Sequence, residues 1–278
     1  MVKLSAVVCV QNQEAQLSDC LRKLSFCDEI VVVADRCTDR SQEIARRYGA
    51  IVIDGIFPLE SHRRMAGVDA SSSEWVLEVE PEDRIDAALA WEIRAVLQMR
   101  RAGDWYELPI DNYVGESLVR NGWTGVLSAR REPRLYKRGL KSWDAGRVRT
   151  PVAMAGQSGG ALTGAIRRLL GRDVGSLMER LNRFTALRAE DVVDSGRPAG
   201  LVMSMAQGLG ELARGYLVQG GWREGRLGLM AGLLSAMSPL IVHLRARDVA
   251  DGRRLAAEQA IETTQPATLR RVAGLGGR

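Results

Sequence analysis

The chain has 278 residues, enough for one large α/β domain with a tail or for two units. Its 46% hydrophobic and 26% charged residues suit a globular core and exclude a disordered or collagen-like chain. The net charge is only +5, but the basic side chains are nearly all arginine, with lysine only at Lys3, Lys23, Lys137 and Lys141. Arginine forks suit phosphate and diphosphate.

The first hundred residues alternate two periodicities. Residues 4–10 (LSAVVCV) are a continuous apolar run, as in a strand buried on both faces. Residues 17–24 carry a helical stripe. Residues 29–34 (EIVVVA) read as a second buried strand, followed by Asp39 as a cap before SQEIARRYG. A short strand at 50–53, a helix at 60–70, a strand at 75–79 (WVLEV) and a helix at 85–100 complete the series. Strands alternating with helices predict a mostly parallel sheet with helices on both faces. Ligands of such sheets bind beyond the carboxyl ends of the strands. Polar clusters stand at those ends: Asn12 and Glu14, then Asp35 and Asp39, then Glu80, Glu82 and Asp83.

The middle third is less regular. Residues 105–109 and 134–137 read as strands, with Asp111-Asn112-Tyr113 as the loop after the first. From about Ile166 the sequence turns helical and arginine-rich. Residues 227–244 carry no charged side chain over 18 positions, at the lower limit for a membrane span, and Pro239 interrupts them. Arginines flank the stretch on both sides, against the one-sided bias of a single span. The expectation is interfacial helices, or a shallow hairpin bent at Pro239, on an anionic membrane surface; a buried helix pair or a homo-oligomer contact is the alternative. The organisation expected is a nucleotide-binding and catalytic unit at 1–165, a basic and apolar helical region at 166–250, and a loose polar tail at 251–278.

Four cysteines (Cys9, Cys20, Cys27, Cys37) lack CxxC spacing, and only His62 and His243 could join them, which argues against a structural zinc site and a disulfide framework. They read as reduced thiols. The apolar run at 4–10 turns polar too soon for a signal peptide, so a cytoplasmic location, peripheral on the inner membrane, is expected. No basic stripe interleaved with aromatics suggests nucleic acid as a partner.

Glu80-Pro81-Glu82-Asp83 follows an apolar strand. In an extended segment residues i and i+2 point the same way, so Glu80 and Glu82 are expected to converge. Two close carboxylates repel unless a cation or proton lies between them. A hard divalent ion carrying a diphosphate meets that need; a solvated acidic turn is the alternative.

Three ordered blocks, SAVVCVQNQEAQLSDCLRKL, CDEIVVVADRCTDRSQEIARRYGA and SSSEWVLEVEPEDR, resemble the family 2 glycosyltransferases of GT-A fold over roughly residues 4–140. The segment RGYLVQGGWREGRLGLMAGLLSA is similar to the membrane-associating end of a bacterial subgroup that includes lipopolysaccharide-core sugar transferases. The resemblance implies that Val10, Asn12 and Glu14 line base and ribose, that Asp35 contacts the base, and that Arg63 or Arg64 lies near base or diphosphate. Glu80 and Glu82 would stand at the family's Asp-x-Asp positions, holding Mg²⁺ or Mn²⁺. Thr38 and Asp39 are read as turn and cap residues. The departures are Ala34 for the first acid of an Asp-Asp pair, Gln13 for a Glu, Glu for both metal-motif Asp residues, and Arg149-Thr150 where a His-Glu pair is common. The activity implied is inverting transfer of a sugar from a nucleotide-diphosphate donor, UDP being the usual nucleotide, to a lipid-linked acceptor. Asp111 is the first candidate for general base, ahead of Glu116 and Glu132. A degenerate member that binds donor or lipid without turnover is the alternative.

Overall fold

The computed structural model describes residues 2–99, 103–122, 128–148, 151–196 and 199–264. The first half runs β1 (Leu4–Val10), α1 (Glu14–Arg22), β2 (Glu29–Asp35), α2 (Ser41–Arg47), β3 (Ile51–Gly55), α3 (Glu60–Ala70), β4 (Trp75–Val79), β5 (Asp83–Arg84) and α4 (Ala87–Leu97). There follow β6 (Trp105–Val114), β7 (Ser117–Val119), β8 (Arg131–Lys137), β9 (Lys141–Trp143), β10 (Val152–Met154), β11 (Ser158–Ala161) and β12 (Ile166–Gly171). The chain ends in α5 (Val174–Asp194), α6 (Leu201–Leu212), a π-helical turn (Ala213–Val218), a 3₁₀ turn (Gly221–Glu224) and α7 (Gly225–Thr264).

The main sheet has the order β3-β2-β1-β4-β8-β6-β12-β5. Strands β3, β2, β1 and β4 are parallel, β8 runs antiparallel between β4 and β6, and β12 returns parallel to β6. This is a mixed α/β sheet, parallel over its first four strands and antiparallel at β8. All seven residues of β1 are buried because both faces are covered. Leu4, Ala6 and Val8 face the core that α1 and α4 fill with Leu17, Leu21, Leu89 and Ile93. Val7 faces the other way, toward Val68 of α3. There Gly67 is obligatory: a Cβ would stand 2.4 Å from Cγ1 of Val7. That close approach lets α3 deliver Arg63 and Arg64 to the carboxyl ends of the strands.

Three local expectations are corrected. Residues 111–113 are not a loop, because β6 continues to Val114 and pairs with β12, Asp111 standing opposite Arg167. Residues 166–171 are that strand rather than the start of a helix; the alternating burial of IRRLLG matches a strand whose one face is covered. Residues 80–83 are not extended: Asp83 N–H donates to the Glu80 carbonyl at 2.9 Å, and Asp83 Oδ2 accepts from Glu80 N–H at 2.9 Å. Pro81 at the second position favours this tight turn.

The C-terminal helices pack as a layer. Leu177 and Leu181 of α5 meet Ala231 and Leu234 of α7 in a second core. Helix α6 crosses α7 closely at Gly208, where a Cβ would lie 2.4 Å from the Ala236 carbonyl oxygen. Helix α7 runs unbroken through Pro239 and on to Thr264, so no hairpin bends at Pro239 and residues 251–264 are helical rather than loose.

Candidate active site

A cavity of about 460 Å³ opens at the carboxyl ends of β1, β2 and β4. Its floor carries Gln11 and Gln13, Asp35, Glu78, Glu80 and Glu82. Helix α3 adds Glu60, Arg63 and Arg64, β8 adds Glu132 and Arg134, and β9 adds Lys141 and Trp143. A further wall is α5, with Arg180, Arg183, Phe184 and Leu187.

Each acid of the cavity holds a basic side chain. Asp35 is buried and takes a two-pronged bond from Arg36, both distances 3.0 Å, plus Phe57 N–H at 3.1 Å. Arg36 reaches it from a left-handed backbone (φ 50°), which a non-glycine residue adopts at some cost. Arg63 stands further off, 3.8 Å from Asp35 Oδ2. Glu80 Oε1 accepts from Arg64 at 2.9 Å and Arg134 at 3.3 Å. Burial pushes the Glu80 carboxyl up, but the charges of Arg64, Arg134 and Arg168 outweigh it and hold the group well below its ordinary value. Glu82 Oε1 accepts from Arg180 at 2.8 Å and from Gln13 at 3.4 Å, while Oε2 takes Arg180 at 3.3 Å. Glu132 pairs with Arg134.

Glu78 escaped the sequence reading. It is 2% exposed and lies between Tyr136 Oη at 2.5 Å, Lys141 Nζ at 2.7 Å and Arg64 at 3.2 Å. Burial raises its carboxyl, yet Lys141, Arg64 and Arg134 win and lower it. A lone acid inside the apolar strand WVLEV was the available signal. Arg180 and Arg183 were also missed as site residues, since α5 was assigned to a membrane or subunit contact. Three buried polar atoms without a partner among the described residues belong to this wall: Glu60 Oε2, Arg63 Nε and Trp143 Nε1.

The other sequence candidates lie elsewhere. Val10 is fully buried in the core. Asn12 Oδ1 accepts from Thr38 N–H at 2.8 Å and Asp39 N–H at 3.3 Å. Glu14 accepts from Arg40 N–H at 2.8 Å. Asp39 caps both neighbours, accepting from Glu14 N–H at 2.9 Å and Ser41 N–H at 3.0 Å. The cavity lining thus includes Gln11 and Gln13 rather than Val10, Asn12 and Glu14, and it does not include Asp111. Arg149 and Thr150 lie outside the described residues.

The expected metal pair, Glu80 and Glu82, is already engaged by cations of the chain itself. Glu80 and Glu82 are split by the Pro81 turn and each is already neutralised by guanidinium groups. Among the described residues no group of three or more His, Cys, Asp or Glu side chains is placed to hold a metal ion. As arranged, these carboxylates do not fit a divalent cation, because it would have to displace Arg180 or Arg64.

No family model matches the chain. Over 251 residues it is 26% identical to the lipopolysaccharide core biosynthesis glycosyltransferase LpsC of Rhizobium meliloti (strain 1021), covering 84% of this chain and 88% of the relative. The chain resembles the glycosyltransferases of lipopolysaccharide-core assembly. Solved structures similar to it include S. aureus TarS with UDP-GlcNAc (14% identity, TM-score 0.46, 67% of this chain and 66% of that one). Glucosyl-3-phosphoglycerate synthase of Mycobacterium tuberculosis, solved with Mn²⁺, UDP and glucosyl-3-phosphoglycerate, is similar at 14% identity (TM-score 0.44, 72% of this chain and 82% of that one).

Proposed function

We propose that the protein is an inverting glycosyltransferase that takes a sugar from a nucleotide-diphosphate donor, with UDP as the first nucleotide to test, and places it on a lipid-linked or lipopolysaccharide-type acceptor at the cytoplasmic membrane face. The observation that carries this reading is the convergence of Asp35, at the end of β2, with Glu80 and Glu82, just past the end of β4, on one cavity rich in arginine. The similarity to LpsC over most of both chains supports it and supports the class of acceptor.

In the reaction the acceptor hydroxyl forms a bond to the anomeric carbon on the face opposite the leaving group. The bond from that carbon to the diphosphate oxygen breaks, and the hydroxyl proton passes to a general base. Arg63, Arg134 and Arg180 face the cavity and would stabilise the charge gathering on the leaving diphosphate. Glu132 is the one of the three base candidates that lines the cavity, so it takes the role first given to Asp111.

The test is release of nucleoside diphosphate from a panel of nucleotide sugars, with and without a rough-type lipopolysaccharide core as acceptor. Acceptor-stimulated release is expected, and Glu132→Gln should reduce it by about a hundredfold, the lower range for a lost general base. Full rates in Glu132→Gln with loss in Asp111→Asn would return the role to Asp111. One observation favours a second reading, a non-catalytic binder: all six carboxylates of the cavity wall are engaged by arginine or lysine. Donor binding without turnover under every condition would select that reading, and absence of both binding and turnover would end the first as well.

A further inference from the structure

The cavity wall formed by α5 has its own chemistry. Residues 180, 183, 184 and 187 recur at helical spacing, so Arg180, Arg183, Phe184 and Leu187 form one stripe, and all four face the cavity. Arg180 lies on Glu82 with both prongs, and its side chain keeps 23% exposure. Arg183, three residues on, is exposed and has no ion pair among the described residues. Opposite them, Glu80 is held by Arg64 and Arg134.

Guanidinium groups therefore stand where two carboxylates alone would require a cation. A metal ion between a carboxylate and a diphosphate works by bridging two negative groups. An arginine with one edge on a carboxylate bridges in the same sense, since its fork carries five donors in fixed geometry. A divalent ion brought to Glu82 would have to push Arg180 aside, and would then meet the positive charge of Arg180 and Arg183 together. A diphosphate meets no such conflict.

We propose that this cavity holds a diphosphate without a divalent ion, through the Arg180 and Arg183 pair of α5. The proposal rests on the nucleotide-sugar reading and deepens it, by naming what grips the donor's diphosphate. It also assigns α5 to the donor site.

Isothermal titration of the full chain with UDP, GDP, CDP, ADP and inorganic pyrophosphate tests it, each run in EDTA and in MnCl₂ or MgCl₂. At least one nucleoside diphosphate is expected to bind in EDTA within about twofold of its affinity with metal. Arg183→Gln, at an exposed position with no ion pair to lose, should weaken that binding about tenfold, the worth of one charge-assisted hydrogen bond. Arg180→Lys keeps a positive charge on Glu82 but removes the fork, and should weaken it by a similar factor. Binding that appears only with Mn²⁺ or Mg²⁺ would overturn the proposal and leave the nucleotide-sugar reading standing. So would binding in EDTA that is unchanged in both variants. No binding of any probe in either buffer would overturn the proposal and the nucleotide-sugar reading together.

Discussion

The thiols show how strongly single residues feel this fold. Cys9 sits in the wall of the cavity, yet burial pushes its thiol up to about 11 against the pull of Arg63 and Arg64. Burial likewise raises Cys27 to about 12 and Cys20 further, and Cys37 shifts the same way. The thiolate is the reactive form, so the upward shift slows reaction of these groups near neutrality. At pH 7.5 a chromogenic disulfide reagent should find almost no reactive thiol in the native protein and four in guanidinium. Rapid labelling of Cys9 at that pH would mean that the cavity opens further than its geometry allows. Among the carboxylates, Asp35 and Glu82 were legible because acids at strand ends follow a known rule of α/β sheets. Their partners were not, because Arg36 and Arg180 are respectively 1 and 98 residues away in sequence. No spacing rule predicts either pairing.

At the scale of elements, β4, β8 and α3 share one ionic network. Glu78 and Glu80 extend from β4, Arg134 comes from β8 and Arg64 from α3. Both carboxyls are lower in the folded protein than their ordinary value of 4.5. A group depressed by folding adds stability above its unfolded value and loses it as pH falls toward its folded value. Stability should therefore decline progressively below about pH 4.5, measured by chemical denaturation across an acid series. Glu80→Gln leaves Arg64 and Arg134 short of a negative charge, so it should destabilise by roughly 3 kcal/mol at pH 7. That difference should shrink as the wild type is acidified; a constant difference would exclude Glu80 as a source of the acid sensitivity. A fourth element, β12, explains the misread turn. Local propensity makes 80–83 ambiguous, and the Asp83–Arg168 pair from β12 anchors it, with Nε to Oδ1 at 2.7 Å.

Across the whole molecule, the C-terminal layer has two unlike faces. Its inner face covers the sheet and delivers α5 to the cavity. Exposed apolar side chains of this layer include Val202 (82%), Met205 and Leu209 (68%) of α6, Val218 (81%) of the π-helical turn, and Leu229, Leu233 and Met237 of α7. By length and composition the stretch Gly221–Gln259 is apolar enough to cross a membrane, and a third of its most apolar window is buried within the protein. An apolar face with arginines nearby fits an interfacial helix on an anionic surface, where each basic group adds about 1 kcal/mol. Val202→Asp with Leu209→Asp should reduce co-sedimentation with phosphatidylglycerol vesicles while the melting temperature stays nearly constant, since both side chains already face solvent. Unchanged sedimentation would remove the membrane from the proposed function. Truncation at Leu201 is the poorer experiment, because it strips the cover from α5 and so disturbs the cavity.

The sequence by itself determined the order of strands and helices, the two-sided burial of β1, the acids at the strand ends and the resemblance to sugar transferases. Each of these rests on local periodicity or on an ordered run of residues. The tertiary structure alone decided that Glu80 and Glu82 face different arginines, that β12 joins the sheet between β6 and β5, and that α5 forms part of the cavity. Those outcomes depend on contacts between segments up to about a hundred residues apart, formed when burial of the apolar faces brings distant charges together and leaves each acid to find the nearest guanidinium.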